Sequence, residues 1–214
     1  MVDSQQSDAA AVRQAKRLLR HAVLLSRESR SPTTKSADDH ARFEQLRGGL
    51  QRLPAVRTVA AYLSTPAEPG TLELIGWLAS QDVRVLLPAL SSDTAAAGVR
   101  LDWAAYGGPD QLRLGPFSIV EPTTSRLGPS AIGAADVVIC SGLAATTSGD
   151  RLGRGGGWYD AALSAVDPAP EAWVLLNDDE LLEVVPTDPW DRPVDAIVTQ
   201  TRLIQTRAND SQTR

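Results

Sequence analysis

The strongest constraint on this chain is its alternation of short apolar, β-branched runs with segments of helical spacing. Residues 56–63 read as a strand, and residues 71–80 as a helix with Leu72, Leu74, Ile75 and Leu78 on one face. Residues 83–87 then form a buried strand that ends at Pro88. Strand, helix and strand in that order mark a parallel βαβ unit. Further on, residues 135–141 (Ala-Asp-Val-Val-Ile-Cys-Ser) make a strong buried strand, followed by a Gly-rich loop and a helix over 157–166. Residues 172–176, 178–184 and 194–199 add a strand, a helix and a strand. The expected fold class is α/β: a single domain with a mainly parallel sheet flanked by helices.

Two helices precede the alternation. Residues 8–29 carry Val12, Ala15, Leu19, Ala22 and Val23 at amphipathic spacing, and Ser31-Pro32-Thr33-Thr34 marks a break. A second helix is expected over 37–53, ending before Pro54. The stretch 91–129 is less regular, with a strand over 99–103 and loops at Gly107-Gly108-Pro109 and Glu121-Pro122. One domain over 1–205, with this helical arm at its start, and a frayed polar tail over 206–214 are expected.

Composition removes whole classes of function. A chain of 214 residues suits one domain, and its formal net charge of -5 argues against a nucleic-acid partner, which needs an extended basic face. One cysteine, Cys140, rules out a disulfide framework and multi-Cys zinc patterns, and its apolar strand makes it a core thiol. His21 and His40 both lie in the N-terminal helices and belong to no triad or metal-ligand pattern. No spanning apolar stretch and no signal-like h-region are present, so a membrane partner is not expected and a cytoplasmic location is. Nucleophilic hydrolysis and zinc chemistry recede, and electrostatic catalysis of phosphoryl transfer rises.

The densest chemical signal is Gly149-Asp150-Arg151-Leu152-Gly153-Arg154-Gly155-Gly156-Gly157-Trp158-Tyr159-Asp160, set between a buried strand and a helix. Backbone without Cβ atoms approaches a polyphosphate closely, and its N–H groups and a helix N-terminus favour anions. Arg151 and Arg154 add charge, and Asp160 suits a magnesium ion bridging phosphates. No Lys-Ser/Thr pair follows the glycines, and Trp158 stands where a dinucleotide motif needs its last glycine. A solvated surface loop with two arginines fits the same residues.

Of the 21 basic residues only Lys16 and Lys35 are lysines. Lys16 and Arg20 share one helix face, and Arg13 and Arg17 a neighbouring one. Either pair also reads as a solvated basic face. A lysine retained amid so much arginine suggests a compact point charge for a phosphate, whereas Lys35 falls in a linker with no role. Glu68 lies in the loop after the first strand, at the sheet edge where open parallel sheets bind ligands, and suits the amino groups of a heterocycle. It also reads as an exposed loop acid, and Asp191 as a turn residue before the final strand.

Together the Lys16/Arg20 helix, Tyr62-Leu63-Ser64 with Glu68 and Thr71, Val85-Leu86-Leu87-Pro88, Ile119-Val120-Glu121-Pro122, Gly142-Leu143-Ala144, the 149–160 run and residues 191–199 resemble the 5-formyltetrahydrofolate cyclo-ligase (5,10-methenyltetrahydrofolate synthetase) family. The resemblance runs in order along nearly the whole chain, and its specific part is Arg-Leu-Gly-Arg-Gly-Gly-Gly-x-Tyr-Asp. It implies a fold related to ribose-5-phosphate isomerases and CoA transferases. It also implies a monomeric enzyme that uses ATP as co-substrate with Mg2+ to cyclise 5-formyltetrahydrofolate to 5,10-methenyltetrahydrofolate. The resemblance further implies that Lys16 and Arg20 bind phosphates and that Arg151, Leu152, Gly153, Arg154, Gly155, Gly156, Gly157, Trp158 and Tyr159 form the nucleotide loop. By the same resemblance Leu63, Glu68, Arg154 and Trp158 hold the folate, Asp160 and Asp191 serve the metal, and Lys16, Arg151 and Arg154 carry catalysis.

Three departures stand out. Ser141-Gly142-Leu143-Ala144-Ala145-Thr146 replaces the family's Pro-Gly-Leu-Ala-Phe-Asp, Trp158 replaces a common tyrosine, and Trp190 replaces a histidine. Ala145 and Thr146 support a second hypothesis, a non-catalytic folate- or nucleotide-binding relative. A third, a sugar-phosphate isomerase on the same fold, sits poorly with the retained 149–160 run.

Overall fold

Strands such as Val137–Ser141 are apolar at successive positions, which requires a sheet covered on both faces. That sheet forms. The computed structural model describes residues 2–90, 101–115 and 119–206. In chain order these contain α1 (Val2–Glu28), α2 (Pro32–Leu50), β1 (Thr58–Ala60), α3 (Leu72–Ser80), β2 (Arg84–Leu90) and β3 (Leu101–Ala105). They continue with β4 (Leu112–Leu114), β5 (Val120–Pro122), β6 (Val137–Ser141), β7 (Ala144–Ala145) and β8 (Arg151–Leu152). Helix α4 (Trp158–Ser164), β9 (Glu171–Leu175), β10 (Ala196–Val198) and β11 (Leu203–Gln205) complete the order. Among the described residues no helix is long and apolar enough to cross a membrane.

The main sheet has the order β11-β10-β9-β6-β1-β2-β3. Its five inner strands run parallel, and β3 and β11 pair antiparallel at the two edges. Side chains alternate between faces with period two. Val59, Val85, Ile139 and Trp173 pack under Phe43, Leu46 and Leu50 of α2 and Leu74, Ile75 and Leu78 of α3. Ala60, Leu86, Val138, Cys140 and Val174 face the other way, onto Ile132 and Leu163. The chain passes from β1 to β2 on one side and later returns to β6 on the other. The carboxyl ends of β1 and β6 therefore diverge at a switch point, where open α/β sheets form a ligand crevice.

Several elements differ from their sequence expectations. Strand β2 continues through Pro88 to Leu90. The Tyr106 N–H to Val85 O bond sets the register so that Pro88 and Trp103 face each other without exchanging hydrogen bonds, and the proline nitrogen turns to the side where β1 has ended. Glu121-Pro122, expected as a loop, belongs to β5, which pairs with β4. The expected 99–103 strand is β3, shifted to Leu101–Ala105; residues 99 and 100 lie outside the described residues.

Residues 178–184 are no α-helix but one 3-10 turn, Asp178–Glu180. Glu180 folds back onto the Asn177 N–H, and the Leu182 N–H goes to Ala145 O, so the backbone leaves helical pairing after one turn. Helix α2 begins at Pro32, because Ser31 Oγ accepts the Thr34 N–H at 3.1 Å and proline fits the first helical position. Lys35 is thus helical and pairs with Asp39. Thr206 is buried, its hydroxyl donating to Val194 O at 2.6 Å; residues 207–214 lie outside the described residues.

The buried stripe of α1 also differs. Ala15 and Ala22 are exposed, while Lys16, Val23 and Arg27 are buried, with Val12 and Leu19 beside them. Val23 packs on Leu143, Ala144, Leu152 and Val185. The docked face carries two cations whose partners lie elsewhere in the chain, so an apolar count misplaces it.

Candidate active site

A cavity of about 350 Å3 opens at the carboxyl ends of β1, β2 and β6. Tyr62 and Leu63 follow β1, Pro88 comes from β2, Ser141 ends β6, and Arg151–Asp160 supplies the facing wall. The volume lies in the range of small-molecule sites. Leu63, Glu68, Arg151, Gly153, Arg154, Gly156, Gly157, Trp158, Tyr159 and Asp160, all singled out from the sequence, line this one space.

Glu68 is built in rather than exposed. Its Oε2 accepts the Thr65 N–H and the Thr65 hydroxyl, both at 2.8 Å, and its Oε1 accepts Arg154 Nη1 at 3.0 Å. The Glu68 side chain is 7% exposed against 46% for Arg154, so the carboxylate is the fixed member of the pair. Tyr62 braces the same loop by donating to Pro69 O at 2.9 Å.

Arg151 is buried on the opposite wall. It donates to Asp160 Oδ1 at 2.8 Å and to Ser141 O at 3.1 Å, which ties the Gly-rich run to the end of β6. Arg151 Nε and Tyr159 Oη are buried with no hydrogen-bond partner among the described residues. Both residues belong to the cavity wall, with these two atoms behind its surface and out of direct reach of a ligand. Burial pushes the Tyr159 hydroxyl well above the ordinary tyrosine value and keeps it a donor. Helix α4 spans seven residues, shorter than expected, with Gly157 in the left-handed region ahead of it. So short a helix offers no N-terminal anion site of its own.

Lys16, Arg20 and Asp191 lie outside the cavity lining, on a shelf behind the same loop. Lys16 Nζ bonds Asp188 at 2.6 Å and Asp191 at 2.5 Å. Arg20 donates to Gly153 O at 2.9 Å. The Arg192 N–H reaches Asp160 Oδ1 at 3.1 Å, so the 188–192 turn touches the cavity wall. Burial opposes the Lys16 ammonium, but hydrogen bonds and charge from both aspartates outweigh it, and its pKa stands above the ordinary 10.5. The pairing is fully present below that value and is lost only as pH rises through the higher folded one. Arg13 and Arg17 are exposed, as a solvated face requires.

Sequence reasoning missed Asp188 and the pair Arg27–Glu180. Lys16, Arg20, Val23 and Arg27 recur at i, i+4, i+7 and i+11, a stripe legible in the sequence but followed only as far as Arg20. Ala145 and Thr146 fall in the β7–β8 hairpin, outside the cavity wall. Thr146 Oγ1 accepts the Asp150 N–H at 3.2 Å, so the threonine closes a turn. Gly149 at φ +99 completes it, where a Cβ would meet Val194 O at 2.7 Å. The departures at 145 and 146 thus give the non-catalytic reading no support from the cavity. His21 and His40 do not line the cavity either; His40 meets Glu73 at the surface.

Cys140 is fully buried, and burial pushes its thiol up to about 11. A thiol reagent at pH 8 should leave it unmodified in the folded protein and titrate one thiol after guanidinium denaturation. Rapid labelling of the native state would contradict its place beneath α4.

The fold and cavity define a single-domain α/β protein with a cavity of small-molecule size at the switch point of its sheet, lined by two arginines and two carboxylates. Residues 12–200 match the 5-formyltetrahydrofolate cyclo-ligase family. A 5-formyltetrahydrofolate cyclo-ligase of Mycolicibacterium smegmatis (strain ATCC 700084 / mc(2)155) is 36% identical over 191 residues, covering 89% of this chain and 96% of that protein. One of Escherichia coli (strain K12) is 32% identical over 147 residues, 68% of this chain and 79% of that one. The NMR structure of Aquifex aeolicus 5,10-methenyltetrahydrofolate synthetase superimposes with a TM-score of 0.71 at 26% identity, over 90% of this chain and 93% of that one. The Mycoplasma pneumoniae 5,10-methenyltetrahydrofolate synthetase shares the fold with a TM-score of 0.68 at 21% identity, over 86% and 98%. The chain belongs to the 5-formyltetrahydrofolate cyclo-ligase family.

Proposed function

We propose that this chain converts 5-formyltetrahydrofolate and ATP to 5,10-methenyltetrahydrofolate, ADP and phosphate. The observation that carries the reading is the loop 151–160, which lines the cavity with Arg151, Arg154 and Trp158 and is held from behind by Arg20 at Gly153 O and by the Arg192 N–H at Asp160. The γ-phosphate has to enter the cavity beside Arg151 and Arg154 to lie in line with the formyl oxygen, while the rest of the polyphosphate reaches toward Lys16 and Arg20. In this reading the folate occupies the cavity against Leu63, Glu68 and Trp158, and the phosphates lie toward Lys16, Arg20, Arg151 and Arg154.

The formyl oxygen attacks the γ-phosphorus and ADP departs. N10 then attacks the activated carbon, loses its proton, and phosphate leaves with the former formyl oxygen. No protein nucleophile is needed. The chain's own part is to align the two ligands and to stabilise charge on the transferring group, the work of buried, preorganised arginine.

Magnesium fits as a partner of the nucleotide. Mg2+ commonly takes one or two protein carboxylates and fills its shell with phosphate oxygens and water. Asp160 accepts the N–H of Arg192, the residue that follows Asp191, so the two candidate carboxylates lie on adjoining segments, Asp160 in the cavity wall and Asp191 paired with Lys16. Among the described residues no group of three or more His, Cys, Asp or Glu is placed for a metal. Four cations, Lys16, Arg20, Arg151 and Arg154, face four carboxylates, Glu68, Asp160, Asp188 and Asp191. A polyphosphate entering so balanced a site gains from bringing a divalent counter-ion.

Purified protein incubated with 5-formyltetrahydrofolate, ATP and magnesium should generate the methenyl product, followed by its absorbance, and omission of ATP or magnesium should abolish it. Absence of product while ATP or folate still binds would favour the non-catalytic relative.

A further inference from the structure

We infer that Glu68 withholds Arg154 from the nucleotide until folate binds, so that occupation of the cavity by the folate tightens ATP binding. The inference rests on the assignment of folate and nucleotide given above. Thr65 saturates one oxygen of Glu68, and the remaining oxygen is covered by Arg154. A heterocycle that donates N–H groups to Glu68 must compete for that second oxygen.

The two partners differ in freedom. Glu68 is fixed by Thr65 and buried, whereas Arg154 is half exposed and lies between Gly153 and the left-handed Gly155 and Gly157, at φ +108 and +63. The arginine is the member that moves. Its displaced guanidinium stays on the loop that Arg20 grips at Gly153 O and approaches again at Gly155, the end toward which the polyphosphate is assigned above. Folate binding therefore adds one positive charge to the nucleotide compartment, with Lys16, Arg20 and Arg151 held in place by other partners. Differential contact with the two states of Arg154 is the physical source of the coupling.

The test is calorimetric titration with the β,γ-imido analogue of ATP and magnesium, with and without saturating 5-formyltetrahydrofolate. In the wild-type protein the folate should tighten analogue binding by about fivefold or more. Glu68→Gln keeps an oxygen for the Thr65 donors and gives up the ion pair, so it should bind the analogue without folate as tightly as wild type does with it. Arg154→Gln should bind it weakly, and the folate should leave that affinity unchanged. Opposite shifts in the two variants are a signature that mere loss of structure does not give, and thermal melts confirm that both remain folded. Equal analogue affinity with and without folate in a wild-type protein that forms methenyl product overturns the coupling and leaves the activity standing. Absence of both product and analogue binding overturns both.

Discussion

Arg151→Ala is expected to lower turnover by roughly 10²–10³-fold, the usual consequence of removing one preorganised charge from a site of developing negative charge. The Arg151 side chain is 3% exposed, is held by Asp160 and Ser141 O, and belongs to the cavity wall. Lys16→Ala should fall in the same direction, because Lys16 fixes both Asp188 and Asp191 and is proposed to meet the phosphates. Arg13→Ala, at an exposed position on the neighbouring face, should leave turnover unchanged. Arg151→Lys keeps the charge but loses the two-pronged reach to Asp160 and Ser141 O, and should recover only part of the rate. Steady-state rates of methenyl formation at saturating substrates measure all four. Equal losses at Arg13, Lys16 and Arg151 would mean that the α1 face is misassigned.

The second large effect is on stability. Arg27→Ala should destabilise the protein by about 3–5 kcal/mol, since it strands a carboxylate in the interior. Arg27 Nε and Nη2 bond the two oxygens of Glu180 at 2.7 Å each, and Nη2 also reaches Gly142 O at 2.7 Å. The two side chains are 3% and 2% exposed. For a chain of this length the loss corresponds to a fall in Tm of roughly 6–20 °C. The double variant Arg27→Met with Glu180→Leu removes both charges and keeps volume, and should recover part of it, because it leaves the Asn177 N–H and Nδ2 donors to Glu180 unpaired. A fall in Tm of less than about 3 °C for Arg27→Ala would show that solvent reaches Glu180 and that α1 is held by its apolar contacts instead. The consequence reaches function, because α1 carries Lys16 and Arg20 to the shelf and Arg27 anchors the other end of the same stripe.

The strand-helix-strand runs were legible because burial on both faces of a parallel strand leaves a local apolar signature, as at Val137–Ser141. The 149–160 loop was legible because glycines and arginines between a strand and a helix have few other uses. Helix α1 was assigned correctly as a helix, yet its buried face was misread at Ala15 and Ala22, because Lys16 and Arg27 are buried there as ions. The 178–184 segment has helical composition, but Glu180 is committed to Asn177 and Arg27 and the chain leaves the helix after one turn. Pro88 looked like a strand end because a missing N–H matters only where a neighbour would accept it, and that depends on where β1 stops.

The α/β class was written in the alternation along residues 56–199, and the loop that lines the cavity, with its charged side chains, within a dozen consecutive residues. Tertiary structure alone decided which charge answers which. Lys16 meets Asp188 and Asp191 across 172 and 175 residues, Arg27 meets Glu180 across 153, and Arg154 meets Glu68 across 86. Such pairings follow from the strand order β9-β6-β1-β2, which brings distant loops to one sheet edge, and from a buried interior where an unmatched charge is too costly to remain.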